Sequence, residues 1–195
     1  MLLTSCQRGP VAPSARDSKG APTAGHELSK PARLARANQR LELTAYKEAE
    51  ADFRSLLTSV EGPAARIGLG QVLVKTGRAT EAISALAPLL NDPNWAAQAA
   101  LYTARAQQNL GRLRDAEATL RALPAERASF ALQLELGSVL LRAGRRSDAE
   151  PVLMTIVNAY NDDRITEADG AGMALVGRAA QLLRSPKDAN QAYDA

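Results

Sequence analysis

The sequence is poor in the residues that carry most catalytic and metal chemistry. Its 195 residues include one cysteine and one histidine, so a disulfide within the chain is impossible and a cluster of His and Cys metal ligands cannot be assembled. Aromatic residues make up only 4%, whereas sheet proteins rely on aromatic and β-branched side chains. The chain is instead rich in Ala, Leu and Arg, which favour helices. We therefore expect an all-α protein.

The overall composition is that of a folded chain of one domain. Hydrophobic residues make up 46% and charged residues 23%, which fits neither a wholly disordered chain nor a membrane-spanning bundle. The formal net charge of +3 is unevenly placed, because the first 40 residues carry +5 and the remainder −2. A nucleic-acid-binding protein would carry its basic face on the folded part. We therefore expect no nucleic-acid partner.

The start of the chain has two possible interpretations. Leu3-Thr4-Ser5-Cys6 resembles the lipobox of bacterial lipoproteins, in which the cysteine receives lipid after cleavage. Residues 1–6 as printed are too short for a signal peptide, so this interpretation requires a coding sequence that begins upstream. Under the other interpretation Cys6 is an incidental thiol. Either way, the composition of residues 1–30, rich in Pro, Gly, Ala and Ser, predicts a disordered tether. A membrane contact is expected only through a lipid on Cys6.

A short sequence motif recurs at nearly fixed spacing in the rest of the chain. Residues 77–82, 111–116 and 144–149 share the pattern Gly-Arg, two variable residues, an acid and Ala, and their glycines lie 34 and 33 residues apart. The glycine can end one helix in a left-handed conformation, and the acid suits the first turn of the next helix. Apolar residues fall at helical spacing on both sides. We therefore predict repeated helix hairpins, with Gly70 and Gly137 facing Ala82 and Ala149.

This pattern resembles the tetratricopeptide repeat (TPR) family, in which 34-residue units of two antiparallel helices carry small residues at positions 8 and 20. Position 8 is Gly70, Ala104 and Gly137, and position 20 is Ala82, Ala116 and Ala149. The resemblance implies a right-handed solenoid of about four to five helix hairpins over residues 31–195.

Two flanking units fit the repeat less well. Upstream, the helix that would begin near Tyr46 lacks the turn glycine. Downstream, Gly177 and Ala189 again stand 12 residues apart, but the extra residues near 161–163 predict a longer loop. The sequence ends inside the predicted second helix of the last unit, so we expect the chain to be the N-terminal piece of a longer repeat protein.

Candidate catalytic groups are few, and none forms a recognisable constellation. His26 falls in the predicted tether without an acid or base partner. Gly170-Ala171-Gly172 lacks the Lys-Ser/Thr of a phosphate-binding loop, so a flexible start to a helix is favoured. Asp162 and Asp163 are neighbours in a predicted loop, which favours a solvated turn over an acid/base pair. We expect no catalytic residue, cofactor or metal, and hence no enzyme.

The TPR resemblance implies a concave groove lined by the first helix of each unit. Its predicted residues give an apolar floor with basic and amide rims, which suits a protein or peptide ligand with some negative charge. They do not suit the carboxylate clamp of some family members, because the floor is aliphatic. The predicted groove residues are Ile67, Gln71, Lys75, Leu101, Arg105, Gln108, Asn109, Leu134, Arg142 and Arg178.

Three further features lead to local predictions. An alternative interpretation of the groove arginines is that they only keep a helix surface soluble. The stripe of Arg33, Arg36 and Arg40 predicts a solvated end face, with attraction to anionic lipid as the alternative. Trp95 is expected to pack between units rather than to stand exposed as a ligand anchor.

The combined hypothesis is a non-enzymatic TPR scaffold or adaptor that binds another protein or peptide. Its expected setting is the bacterial cell envelope, lipid-anchored on the periplasmic side, in assembly or export of envelope components. One alternative is the non-catalytic N-terminal region of a larger envelope enzyme such as a peptidase. A cytoplasmic TPR adaptor is another.

Overall fold

The architecture was analysed on a computed structural model that describes residues 29–124 and 129–183. In these two ranges every regular element is a helix. The α-helices are α1 (Lys30–Glu42), α2 (Tyr46–Leu56), α3 (Gly62–Lys75), α4 (Ala79–Leu86), α5 (Ala96–Asn109), α6 (Leu113–Arg121), α7 (Phe130–Arg142), α8 (Arg146–Asn161) and α9 (Gly170–Leu183), and a 3-10 helix (Ala87–Leu89) follows α4. The predicted tether 1–30 lies almost wholly outside the described residues.

Consecutive helices pair into hairpins that stack side by side. Helices α1 and α2 form unit 1, α3 and α4 unit 2, α5 and α6 unit 3, and α7 and α8 unit 4, while α9 packs on unit 4 as a further first helix. The first helices of successive units also contact one another. A chain of hairpins in which each unit touches its neighbours is a solenoid, so the predicted fold of four to five units is confirmed.

The turn glycines have the left-handed conformation that the repeated Gly-Arg motif predicts. Gly77, Gly111 and Gly144 have φ between 73° and 78°, a region that favours glycine because it has no Cβ. The residue after each glycine donates its N–H to a carbonyl one turn earlier, as Arg78 does to Leu73 at 2.8 Å. In unit 1 the same left-handed position is occupied by Thr44, with φ of 59°. The hairpin therefore forms without its glycine, at the cost of some backbone strain.

The glycines inside the first helices lie against leucines of the second helices. A Cβ added to Gly70 would stand 2.7 Å from the Leu86 side chain, and one added to Gly137 would stand 2.4 Å from the Leu153 side chain. Both leucines are fully buried. The large side chain four residues beyond Ala82 or Ala149 thus fills the space that the glycine leaves open.

All three interfaces between units are packed with apolar side chains, and two of them also carry an arginine ion pair. At the first interface (units 1 and 2), Arg78 contacts Glu50 of the preceding unit at 2.8 Å and Glu81 of its own at 2.6 Å. At the third interface (units 3 and 4), Arg145 contacts Glu117 and Asp148, both at 2.6 Å. The second interface (units 2 and 3) has no such arginine bridge among the described residues. Its apolar cluster consists of Ile67, Leu86, Leu89 and Ala99, with Leu90, Trp95 and Tyr102 packed against them.

The arginine stripe on α1 is wrongly predicted as a solvated face. Arg36 and Arg40 both bind Asp52 of α2, with shortest N–O distances of 2.6 Å, and Arg33 donates to Ser55. Burial alone would raise the pKa of Asp52, but the hydrogen bonds and charges of the two arginines lower it below its usual value. Because these side chains hold the first hairpin together, the stripe is structural and not a free cationic surface.

The predicted loop near residue 162 is confirmed, and α9 begins with a specific cap. Asp163 has a left-handed φ of 57°, and the chain then runs to Asp169, whose carboxylate accepts the N–H of Gly172 at 2.9 Å. A Cβ on Gly172 would stand 2.3 Å from that carboxylate, so the glycine serves close packing. The predicted second helix of the last unit, including Ala189, lies outside the described residues. No helix in the described ranges is long and apolar enough to cross a membrane.

Candidate functional site

Two neighbouring clefts open on the side of the solenoid that the first helices form. The cleft between the C-terminal halves of α5, α7 and α9 has a volume of about 500 Å³, and we call it the polar cleft. Its lining residues are Val74, Arg105, Gln108, Asn109, Leu134, Glu135, Ser138, Arg142, Arg178, Gln181 and Leu182. Because these helices run side by side, residues one or two turns apart on each helix face the same space.

A carboxylate at the centre of the polar cleft organises its side chains. Glu135 of α7 accepts the Nε–H of Arg105 from α5 at 2.8 Å, and its other oxygen accepts the amide N–H of Gln108. The oxygen of that amide accepts from Arg142 of α7 at 3.2 Å. Four side chains from two units thus form one connected network, which fixes the shape of the cleft before any ligand arrives.

The polar cleft carries an excess of positive charge. Three arginines and one glutamate line it, and Glu135 forms an ion pair with Arg105. The hydrogen bonds of Arg142 go to neutral oxygens of Gln108, and both Arg142 and Arg178 are exposed. Among the described residues no carboxylate balances these two guanidinium groups, so they remain available to an anionic group from outside the chain.

The second cleft, which we call the apolar cleft, lies toward the N-terminal ends of α3, α5 and α7 and has a volume of about 490 Å³. Half-buried Trp95, Leu101 and Tyr102 give it an apolar and aromatic wall. Its lining residues are Asn38, Ala64, Ile67, Gly68, Gln71, Trp95, Ala97, Gln98, Leu101, Tyr102, Ser129, Ala131 and Leu132. A wall with this composition suits a hydrophobic side chain.

Arg105 stands between the two clefts and is held from both sides. Its guanidinium lies 5.5 Å from the centre of the Tyr102 ring, within the range of a cation–π contact, and its Nε binds Glu135 on the other side. Burial raises the pKa of the Tyr102 hydroxyl, and the positive charge of Arg105 partly opposes that rise. The Arg105 side chain is therefore held in place between the two clefts by Tyr102 and Glu135, and it separates the clefts.

The structure gathers most of the predicted groove residues into these clefts. Six line the polar cleft and three the apolar cleft. Lys75 is exposed and lines neither. Gln108 lines the polar cleft as predicted, but this side chain is 5% exposed and its amide is engaged by Glu135 and Arg142. Gln108 supports the cleft from within and does not form its rim.

Glu135 is a central residue of the polar cleft that the sequence analysis does not predict. Its carboxylate removes one of the predicted positive charges by pairing with Arg105. The available signal is its isolation, since Glu135 is the only acidic residue of α7, which runs from Phe130 to Arg142. A single acid on an otherwise apolar helix, next to the predicted groove residue Leu134, indicates a partner on a neighbouring element.

The residues that could carry other chemistry are not assembled in the described parts of the chain. Residues 29–124 and 129–183 contain no group of three or more His, Cys, Asp or Glu side chains placed to hold a metal ion. Cys6 and His26 lie outside the described residues. Asp162 and Asp163 are exposed in the loop before α9, where Asp162 lies 3.5 Å from Arg164.

The comparisons with known proteins agree with this architecture. No protein-family model matches the chain, and no curated protein matches it significantly in sequence. Among solved structures, the chain is similar to a thermophilic TPR protein from Thermus thermophilus, with a TM-score of 0.63 and 19% sequence identity. The match covers 85% of this chain and 89% of that chain. The protein therefore has a TPR-like fold.

Proposed function

We propose that the protein is a non-enzymatic scaffold that binds a segment of another protein in the two clefts on its inner face. The observation that carries this proposal is the state of Arg142 and Arg178, two exposed guanidinium groups that no described carboxylate neutralises. Arginines elsewhere in the chain, such as Arg78 and Arg145, are each paired with two acids. Charge left unpaired inside a preformed concave site favours a ligand of opposite charge.

The experiment is affinity capture of partners from extracts of the native cells with wild-type protein and two charge-reversed variants. The test variant is Arg142→Glu with Arg178→Glu, both in the polar cleft. The matched control is Lys47→Glu with Arg114→Glu, both exposed on second helices and outside the clefts. The two variants have the same change in net charge, so a non-specific charge effect would alter both alike.

The proposal requires a specific pattern of capture. Wild-type protein and the control retain the same set of proteins, and the test variant loses them. Circular dichroism of all three proteins verifies equal helix content. If the test variant retains the same proteins as wild type, the clefts are not the binding site and the proposal is wrong.

We also propose that this scaffold acts at the bacterial cell envelope, in assembly or export of envelope components. The support is the sequence Leu3-Thr4-Ser5-Cys6 followed by a stretch rich in Pro, Gly, Ala and Ser, which would hold the repeat units away from the membrane surface. Metabolic labelling of the natural full-length product with a radioactive fatty acid tests the anchor. Label that is present in wild type and lost in Cys6→Ala supports it, whereas an unlabelled wild-type protein rules it out.

A further inference from the structure

We propose that the ligand is an extended peptide segment that carries apolar and acidic side chains about four residues apart. This inference rests on the proposed function and specifies its ligand. The apolar cleft would take the hydrophobic side chains against Trp95, Leu101 and Tyr102, while Arg142 and Arg178 in the polar cleft would bind the carboxylates.

The charges determine which kind of side chain each cleft accepts. The lining of the polar cleft carries two positive charges in excess, whereas the lining of the apolar cleft contains no ionisable acid or base except the Tyr102 hydroxyl. A carboxylate placed in the apolar cleft would lose water without gaining a cation. In the polar cleft it would meet two exposed guanidinium groups. The two clefts therefore accept opposite classes of side chain, and the ligand must present both.

The spacing follows from helix α7, which contributes to both clefts and carries one of the two arginines. Leu132 lines the apolar cleft, and Arg142 lines the polar cleft. The two residues lie ten positions apart on the helix, or about 15 Å at 1.5 Å per helical residue. An extended peptide advances about 3.3 Å per residue, so it would cover this distance in about four residues.

The polar side chains around the clefts favour an extended ligand over a helical one. Gln71, Gln98, Asn109, Ser138 and Gln181 line the clefts, and amide and hydroxyl groups can both donate and accept hydrogen bonds. An extended peptide has unpaired backbone N–H and C=O groups that need such partners, whereas a helix satisfies its own.

The test uses capped peptides of Gly and Ser that carry one Leu-Leu pair and one Glu-Glu pair. The centres of the pairs are separated by two, four, six or eight residues, in either order. Trp95 is the only tryptophan in the chain and lines the apolar cleft, so its fluorescence reports occupancy directly in the full chain. We expect the tightest binding at a separation of four, with a dissociation constant below about 1 mM.

Two comparisons test whether the protein recognises both the apolar and the acidic side chains of the peptide. Replacing Glu-Glu by Gln-Gln should weaken binding about tenfold to wild type but less than about twofold to Arg142→Gln with Arg178→Gln, because the partner charges are then absent. Replacing Leu-Leu by Ser-Ser should abolish the change in Trp95 emission. In wild type alone, added salt should weaken the Glu-Glu peptide and leave the Gln-Gln peptide unchanged.

Several outcomes would overturn the inference. Tightest binding at a separation of eight residues would indicate a helical ligand. Equal binding of the Glu-Glu and Gln-Gln peptides would show that acidic side chains are not recognised. No binding at any separation would contradict the inference as a whole. The proposed function fails separately, when the variant with Arg142→Glu and Arg178→Glu still captures the wild-type partners. Partner capture that depends on the clefts, together with peptides that show no acidic preference, would overturn this inference alone.

Discussion

The first and third interfaces between units differ from the second, although the same Gly-Arg motif forms the hairpin turn next to each of the three interfaces. Arg78 and Arg145 each reach a glutamate 28 residues earlier, Glu50 and Glu117, on the second helix of the preceding unit. Arg112 occupies the equivalent turn position at the second interface, but the residue 28 positions earlier is Ser84. Among the described residues Arg112 makes no ion pair. The Gly-Arg motif therefore specifies the turn. The arginine joins two units only where an acidic residue stands 28 positions earlier, on the second helix of the preceding unit.

The apolar cluster of the second interface also lines one of the two candidate clefts. The cluster includes Ile67, Trp95 and Tyr102, which line the apolar cleft as well. The third interface shares this double role, because the Arg105–Glu135 ion pair joins units 3 and 4 inside the polar cleft, whereas the ion pairs of Arg78 and Arg145 lie outside both clefts. All three interfaces therefore have apolar packing, and the first and third add an ion pair from the turn arginine to the preceding unit.

The largest effect is expected from truncating the apolar cluster of the second interface. Leu89 is 5% exposed within that cluster, so Leu89→Ala should lower the free energy of unfolding by about 3 kcal/mol through lost burial and a residual cavity. Urea unfolding followed by circular dichroism measures the loss. Trp95 fluorescence should change at lower urea than the helix signal, because unfolding would begin at this interface.

The control for this experiment is Leu43→Ala, since Leu43 is 69% exposed in the turn of unit 1. This variant should unfold like wild type. A loss below about 1 kcal/mol in Leu89→Ala, against the roughly 2–5 kcal/mol usual for such a change, would show that the cluster does not hold units 2 and 3 together.

A smaller effect is expected at the charged interfaces. The Glu50 and Glu117 side chains are each 18% exposed, and each contacts two arginines. Glu50→Gln and Glu117→Gln should each cost about 1 kcal/mol, near the upper limit for ion pairs that keep contact with water. Urea unfolding at low salt measures this, and the difference should shrink as salt is added.

The matched control is Glu150→Gln on α8, where the exposed carboxylate makes no ion pair among the described residues. Its stability should equal that of wild type within a few tenths of a kcal/mol. Equal losses in all three variants would mean that the arginine contacts at the interfaces contribute nothing specific.

The overall fold could be predicted from the sequence because its determinants are local. The turn glycines and the helical spacing of apolar residues each act within one hairpin. Contacts between units depend on side chains about 30 residues apart, such as Arg78 with Glu50, and these were not predicted. The same limit explains why the arginine stripe on α1 was interpreted as solvated, since Asp52 lies on another helix.

The candidate clefts could be predicted only in part, for a related reason. Repeat positions select the residues that face inward, and nine of the ten predicted groove residues do line a cleft. Which inward residues stay available to a ligand depends on pairing between helices. Glu135 pairs with Arg105, and Gln108 bridges Glu135 and Arg142. Position in the repeat contains no information about those contacts.

Acid should weaken unit 1 and its interface before it affects the apolar cluster. Burial would raise the pKa of Glu50 and of Asp52, but hydrogen bonds and charges from their arginines lower both pKa values below the usual range. Groups whose pKa is lower in the folded state stabilise the protein above their ordinary pKa near about 4, and this contribution disappears as pH falls through the folded value.

The measurement is urea unfolding between about pH 6 and about pH 3 for wild type and for Glu50→Gln with Asp52→Asn. Wild type should lose stability as the pH falls below about 4.5, and the double variant should lose less over the same range because two of the linked protons are gone. Parallel curves for the two proteins would contradict the assigned pKa shifts.

The smallest effect is a gain, obtained by adding the missing acid to the second interface. Ser84 is exposed on α4, and its hydroxyl donates to the carbonyl of Thr80 at 3.2 Å. Ser84→Glu places a carboxylate in the register that Glu50 and Glu117 occupy, so it should pair with Arg112 and stabilise the protein by about 0.5 kcal/mol. Repulsion from Glu81, one turn earlier, reduces the net gain.

A double-mutant cycle separates the new pair from the change in helix propensity. The four proteins are wild type, Ser84→Glu, Arg112→Gln and the double variant, and Ser84→Gln controls for side-chain length. The coupling energy between the two positions should be about 0.5 kcal/mol and should fall with added salt. A coupling near zero would mean that the 28-residue register alone does not bring the two side chains together. The difference between the interfaces would then lie in the backbone geometry of the second one, where the 3-10 helix Ala87–Leu89 follows α4, and not in the identity of residue 84.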